Sequence, residues 1–414
     1  MTDGGHLAGP VRSEERLGIL DAIRGLALGG ILLANLASFF GHYFLSPDAR
    51  EAMWAGSVGE AVLFGIDWFV EGKFYSIFSI LLGVGFAIQW TRAQARGESS
   101  SDFARFFRRR MIVLVGFGLV HMYALWAGDI LTLYGLMGLL LPILARGSSR
   151  ARLALICTLL LIPFATHLVV YGSDGDIDPR PPFAEAGANA REALGGDGRS
   201  SLELFSGGGS ADYMAWNIGY AVARPGTYLQ GGRPAHVLGL FLIGAWLGVF
   251  LLPRLASLRR PLRTVAVAGA AVGLPASFAY AVIKARTESV FTLSYEGLAQ
   301  TLLYAFGSTP LALSYMALAV LAWRTGLGRR TLEWFVPLGR MALTVYITQT
   351  VIQLLVFTGH GLSLGGVAPI ALLPLAALGI LATQRQACVW WLARYRQGPL
   401  EWLWRTLTYR QQSA

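Results

Sequence analysis

Charge is scarce in this sequence. Only 14% of its 414 residues are Asp, Glu, Lys or Arg, whereas 54% are hydrophobic; soluble domains carry about 25% charged residues. That balance excludes an ordinary soluble globule and points to a chain that crosses a bilayer several times. Cysteine is scarcer still. Cys157 and Cys388 are the only two, both in apolar helical contexts, which excludes a disulfide framework and a cysteine-built metal site. Residues 1–19 lack a small-residue cleavage site behind a short apolar core, so no signal peptide is expected and the first apolar segment is retained as an anchor. There is no Ser-His-Asp spacing, zinc motif or Walker loop. The lack of a persuasive internal repeat weakens a transporter built from inverted halves.

What is present is a succession of apolar segments. Ten spans are expected near residues 20–40, 73–91, 111–127, 130–145, 153–171, 236–252, 264–284, 298–322, 335–357 and 367–391. The net charge of +10 would suggest nucleic acid in a soluble protein. Here the arginines cluster after the second, fourth, sixth and eighth spans, as the positive-inside rule requires. With Arg12 and Arg16 before the first span and Arg394, Arg396, Arg405 and Arg410 after the last, both termini are expected in the cytoplasm. The expected organisation is a cytoplasmic segment 1–19, a five-span bundle 20–171 and an external loop 172–235, then a second five-span bundle 236–391 and an interfacial tail 392–414. Glu51 to Val70 reads as an interfacial or re-entrant helix. Asp174 to Asp178 alternates acids as a calcium loop begins, but the required Gly and closing Glu are misplaced, leaving a solvated turn as the main reading.

The segment Leu20 to Phe40 carries Asp21, Arg24 and Asn35. A charge in hydrocarbon costs from about 3 to over 10 kcal/mol, so such residues are functional candidates by default. Asp21 and Arg24, three apart, can pair on one face. Eleven residues separate Arg24 from Asn35 and seven separate Asn35 from His42, which at about 100° per residue forms one polar stripe. The plainer reading is an ion-paired anchor at the membrane surface with Asn35 bonding a neighbouring helix.

Polar residues concentrate at four further places. His121 lies inside the third span and Asp129 at the turn into the fourth; the pair offers a base near neutral pH, or else a satisfied core histidine and a helix N-cap. Glu71 and Lys73 start the second span, with a snorkelling pair as the bland reading, and Gly83 and Gly85 permit close helix contact. Arg340 opens the ninth span, where Thr344 and Thr348 line a cavity or bond between helices. Glu401, Arg405 and Arg410, with Trp402, Trp404 and Tyr409, form a membrane-surface helix or a receptor for a phosphorylated ligand.

LDAIRGLALGGILLAN, KFYSIFSILLGVGF, GLVHMYALWAGDILTLYG, GRMALTVYITQT and GPLEWLWRTLTY, in that order, resemble the signature blocks of the YeiB (DUF418-type) family of bacterial membrane proteins. The first block is in turn similar to that of the heparan-glucosaminide acetyltransferase, which moves an acetyl group from cytoplasmic acetyl-CoA to a sugar amine across a membrane. That resemblance implies roles for Asn35 and, at a shortened spacing, His42, with His121 as the competing base. An acyl thioester needs a base and an oxyanion donor; His42 or His121 and Asn35 are the candidates, supported by Asp129. Arg24 beside Asp21, with Arg110, Arg340 and Arg405, would clamp a CoA phosphate.

The expectation is thus an all-α, ten-span protein of the bacterial inner membrane, transferring an acyl group from cytoplasmic acyl-CoA to an envelope-side sugar, lipid or small metabolite. The alternative is a proton-coupled transporter or exporter. Its partners would be the bilayer and its substrate, without nucleic acid or metal, and a homodimer is compatible with the sequence.

Overall fold

The computed structural model describes residues 18–45, 57–145, 148–196, 198–250 and 258–409. All regular structure among them is helical. The helices are α1 (Gly18–Phe39), α2 (Ser57–Phe69), α3 (Lys73–Ala95), α4 (Ser100–Val120), α5 (Leu131–Leu144), α6 (Ser149–Gly172), α7 (Arg180–Ala193) and α8 (Ser210–Gln230). They continue with α9 (Arg233–Phe250), α10 (Arg259–Thr287), α11 (Tyr295–Trp323), α12 (Gly326–Glu333), α13 (Val336–Arg340), α14 (Ala342–Phe357), α15 (Leu373–Leu392) and α16 (Pro399–Tyr409).

Seven helical stretches are long and apolar enough to cross a bilayer: Gly18–Phe39, Val58–Ala95, Ser149–Gly172, Arg233–Phe250, Arg259–Thr287, Tyr295–Trp323 and Ile370–Leu392. The chain is therefore a multi-pass membrane protein. The second stretch is interrupted at Gly72, whose φ of 82° turns the backbone between α2 and α3. The segments expected as third, fourth and ninth spans are helical too, but α4 begins with a charged turn, α5 has only 14 residues, and the ninth is broken at Met341 into α13 and α14. Arg12, Arg16, Arg146, Arg254, Arg410 and residues 46–56 lie outside the described residues.

More of α1 is enclosed than of any other spanning stretch. Its small residues allow this. A Cβ on Gly25 would collide with the Phe335 carbonyl, and one on Gly339 with the Asp21 carbonyl, so α1 and α13 meet backbone to backbone. A second such crossing joins α3 to α9 through Gly83 and Gly244. Gly85, by contrast, faces open space.

Several expectations are corrected here. Residues 172–235 are not a loop: α7 and α8 form an antiparallel hairpin, with Gly187 against Gly219 and Gly226 against Phe183. The first-helix stripe does not reach His42, because α1 ends at Phe39 and Gly41 adopts φ of 80°, placing His42 in a short 3-10 turn. Lys73 does not snorkel; it is 2% exposed and donates to the Asp67 carbonyl at 3.0 Å. For Thr344 and Thr348 the reading as bonds between helices holds. Glu401 accepts from the Leu343 and Thr344 amides (2.6 and 3.0 Å) and from the Thr344 hydroxyl (2.6 Å), fastening α16 to the start of α14. Thr348 accepts from Gln384 at 2.8 Å.

Candidate functional site

Helix α4 does not simply stop at Val120. Residues His121–Leu125 widen into a π turn, closed by the Trp126 amide donating to the His121 carbonyl at 2.8 Å, a departure often found at functional sites. The chain then turns through Gly128 and Asp129 into α5. Fourteen residues rise about 21 Å, short of a hydrocarbon core of about 30 Å. The turn is buried in protein, with Trp126, Ala127 and Asp129 at most 8% exposed, so its backbone polar groups need protein partners.

Helix α8 supplies that cover. The Asn217 side chain, fully buried, accepts from the Ala127 amide at 2.6 Å and donates to the carbonyls of Met122 and Tyr123 at 3.1 and 3.2 Å. Tyr213 donates to the Leu125 carbonyl at 2.7 Å and Tyr228 to the Asp129 carbonyl at 2.6 Å. Orphaned backbone groups of the π turn thus find partners on the hairpin. Asn217→Ala is expected to lower stability by about 2–3 kcal/mol, because it strands a buried amide and two carbonyls. Thermal unfolding in detergent measures this, and a Tm equal to wild type would contradict it.

Within this housing His121 and Asp129 come together. Both side chains are fully buried, with His121 Nδ1 3.1 Å from Asp129 Oδ1. The contact lies off the axis of an ideal hydrogen bond, so it is chiefly electrostatic. Asp129 also caps α5, Oδ1 accepting from the Leu131 amide at 3.0 Å and Oδ2 from the Thr132 amide at 2.7 Å. The cap reading of Asp129 holds, and the same carboxylate faces the imidazole. On its other side His121 Nε2 lies 2.9 Å from the Thr350 hydroxyl of α14, and its ring packs on Tyr346 at 5.0 Å. The outcome is a hydroxyl, an imidazole and a carboxylate in line. Such a line lets the carboxylate favour a proton on Nδ1 and leave Nε2 as the base.

The other expected site residues lie elsewhere. Arg24 pairs with Asp21 at 2.6 Å and reaches the Gly339 carbonyl at 3.3 Å. Arg110 stacks on Trp404 at 4.0 Å, in the field of Arg24, and its carbonyl accepts from the Trp404 indole at 3.0 Å. Arg405 lines a shallow depression with Trp402 and Tyr409. Arg340 is turned toward the Arg396 carbonyl at 3.4 Å. Asn35 is half-buried on α1 without a hydrogen bond to a described residue. His42 and His121 sit on separate elements, a short turn and the π turn.

Against this geometry the comparisons speak consistently. Residues 249–411 match the profile of a family described as "Protein of unknown function (DUF418)". The "Uncharacterized protein YxaH" of Bacillus subtilis is 29% identical over 97% of this chain and 96% of its own. These matches support the YeiB/DUF418 family for this chain. The "Uncharacterized protein YeiB" of Escherichia coli is 28% identical over 96% of this chain and 97% of its own. An "Uncharacterized 39.9 kDa protein in amylase 3'region" of Bacillus acidopullulyticus is 37% identical over 37% of this chain and 40% of its own. No solved structure gives a significant match.

Sequence reasoning missed four members of this cluster: Thr350, Tyr346, Asn217 and Tyr228. Tyr346, Thr350 and Gln353 share one helix face by their spacing of four and three, a signal that was available. Asn217 and Tyr228 were hidden in a segment read as loop.

Proposed function

We propose that the protein is a membrane-embedded acyltransferase of the bacterial inner membrane, moving an acyl group from cytoplasmic acyl-CoA to an envelope-side hydroxyl or amine. The observation that carries this reading is the buried alignment of Thr350, His121 and Asp129. In the reaction, His121 Nε2 takes the proton of the acceptor as its oxygen or nitrogen attacks the thioester carbonyl. The proton then passes to the departing thiolate. Asp129 stabilises the transient imidazolium, and Thr350 holds the position an acceptor hydroxyl would take or relays its proton. Arg110 with Arg24 nearby suits the phosphates of the donor. Eleven residues of helical rise, about 16 Å, separate Arg110 from His121, a span that an extended phosphopantetheine arm bridges.

The test is a thermal shift of purified protein with acetyl-CoA, wild type beside Arg110→Gln and His121→Gln. At 100 times its dissociation constant a ligand stabilises the fold by about 2.7 kcal/mol. Wild type and H121Q are expected to shift and R110Q to shift less. No shift with any acyl-CoA would sink the enzyme reading, and substrate flux dependent on a proton gradient in vesicles would replace it with transport.

A further inference from the structure

A second buried polar cluster lies where α2, α3, α9, α10 and α11 meet. Arg233, the first residue of α9, stacks on the Tyr75 ring at 4.7 Å within the field of Glu71, Tyr304 and Tyr228. Its guanidinium, with five N–H donors, makes no hydrogen bond to a described residue. Tyr75 is fixed in turn: its hydroxyl lies 3.0 Å from His236 Nδ1, whose Nε2 is 3.1 Å from the Thr309 hydroxyl. One turn apart on α11, Tyr304 and Ser308 bury hydroxyls that have no partner among the described residues, and Ser308 is 1% exposed. Both crowd Gly72, where a Cβ would come 2.8 Å from the Tyr304 hydroxyl and 3.0 Å from the Ser308 Cβ.

The carboxylates near Arg233 already have cationic neighbours. Lys284 pairs with Asp67 at 2.6 Å, and Lys73 lies in the field of both Glu71 and Asp67. Both carboxylates of the cluster are thus already engaged by lysines. Arg233 is only partly buried, so its guanidinium donors are open to a ligand beside the Tyr304 and Ser308 hydroxyls. One ligand group with a single negative charge and several acceptor oxygens would answer the charge, the guanidinium donors and the two idle hydroxyls together.

We propose that Arg233, with Tyr304 and Ser308, binds a monoanionic carboxylate or phosphate group of a ligand. Tyr228 carries the site toward the other one, since it lies in the field of Arg233 and donates to the Asp129 carbonyl. The inference does not depend on acyl transfer, because its test reads binding without turnover.

Phosphate-free protein in an uncharged detergent is titrated with inorganic phosphate and with acetate at constant ionic strength, read by thermal shift. A parallel arm uses phosphatidylcholine nanodiscs with and without phosphatidylglycerol, read by native mass spectrometry for retained lipid. A response in the first arm identifies a soluble ligand, and one in the second alone identifies a lipid headgroup. Arg233→Gln is expected to weaken the responding arm about tenfold or more, as loss of charge-assisted bonds predicts, and Arg233→Lys to weaken it less. Glu71→Gln, which leaves Arg233 in place and removes a competing carboxylate, is expected to tighten binding. It keeps the test decisive if R233Q does not fold. The proposal is overturned if wild type responds to none of the three anions, if R233Q responds as wild type does, or if E71Q fails to bind more tightly.

Discussion

Asp129→Ala is expected to be among the most destabilising single substitutions in the protein, at about 2–4 kcal/mol. Two losses combine. The first turn of α5 loses the acceptor for its Leu131 and Thr132 amides, worth about 0.5–2 kcal/mol. His121 loses the carboxylate against its Nδ1 in a fully buried setting, and a buried polar group left without its partner costs about 1–3 kcal/mol. The two terms share one side chain and overlap, so their sum is not expected. Asp129→Asn separates structure from chemistry. Its side-chain oxygen still caps one amide, so unfolding is expected to shift by only about 1–2 kcal/mol. The carboxylate beside the imidazole is gone, and the proposed acyl transfer is expected to fall by about three to four orders of magnitude, the scale known for this change in hydroxyl-imidazole-carboxylate triads. Thermal unfolding and an acyl-transfer assay on both variants measure the two effects. Full activity in D129N would remove Asp129 from the chemistry and leave it as a helix cap.

The sequence made this turn visible in part. His121 and Asp129 stood out because ionisable groups in apolar segments are rare, and hydropathy placed them at one end of two spans. Their partners were not legible, for a physical reason. Thr350 lies 229 residues from His121, and nothing local reveals which helix will pack against the π turn. The stripe from Arg24 to His42 failed for a local reason that periodicity cannot see: glycine at 41 takes a left-handed conformation and ends the helix. Segment 172–235 was misread because its glycine and proline content resembles a loop, yet Gly187, Gly219 and Gly226 are the contact surface of two packed helices. The same residue type marks a turn in one place and a tight crossing in another. Which it is depends on the neighbour.

Gly83 and Gly85 put that dependence to a direct test. Both occupy α3, two residues apart, and look equivalent in the sequence. A Cβ on Gly83 would collide with the Phe241 carbonyl and come 2.8 Å from the Ala245 amide, while Gly244 on the opposing helix abuts the Ile80 carbonyl. Backbone cannot yield as a side chain end does, so Gly83→Ala must part α3 from α9. The expected cost is about 3 kcal/mol, the upper end for overpacking. The same parting would disturb the Tyr75 to His236 contact on that seam, so G83A is also expected to weaken anion binding at Arg233. A Cβ on Gly85 meets nothing within 4 Å, and Gly85→Ala is expected to be neutral or to gain about 0.5–1 kcal/mol from helix propensity. Thermal unfolding of the two variants side by side decides the matter. A G83A protein as stable as G85A would show that α3 and α9 do not approach backbone to backbone.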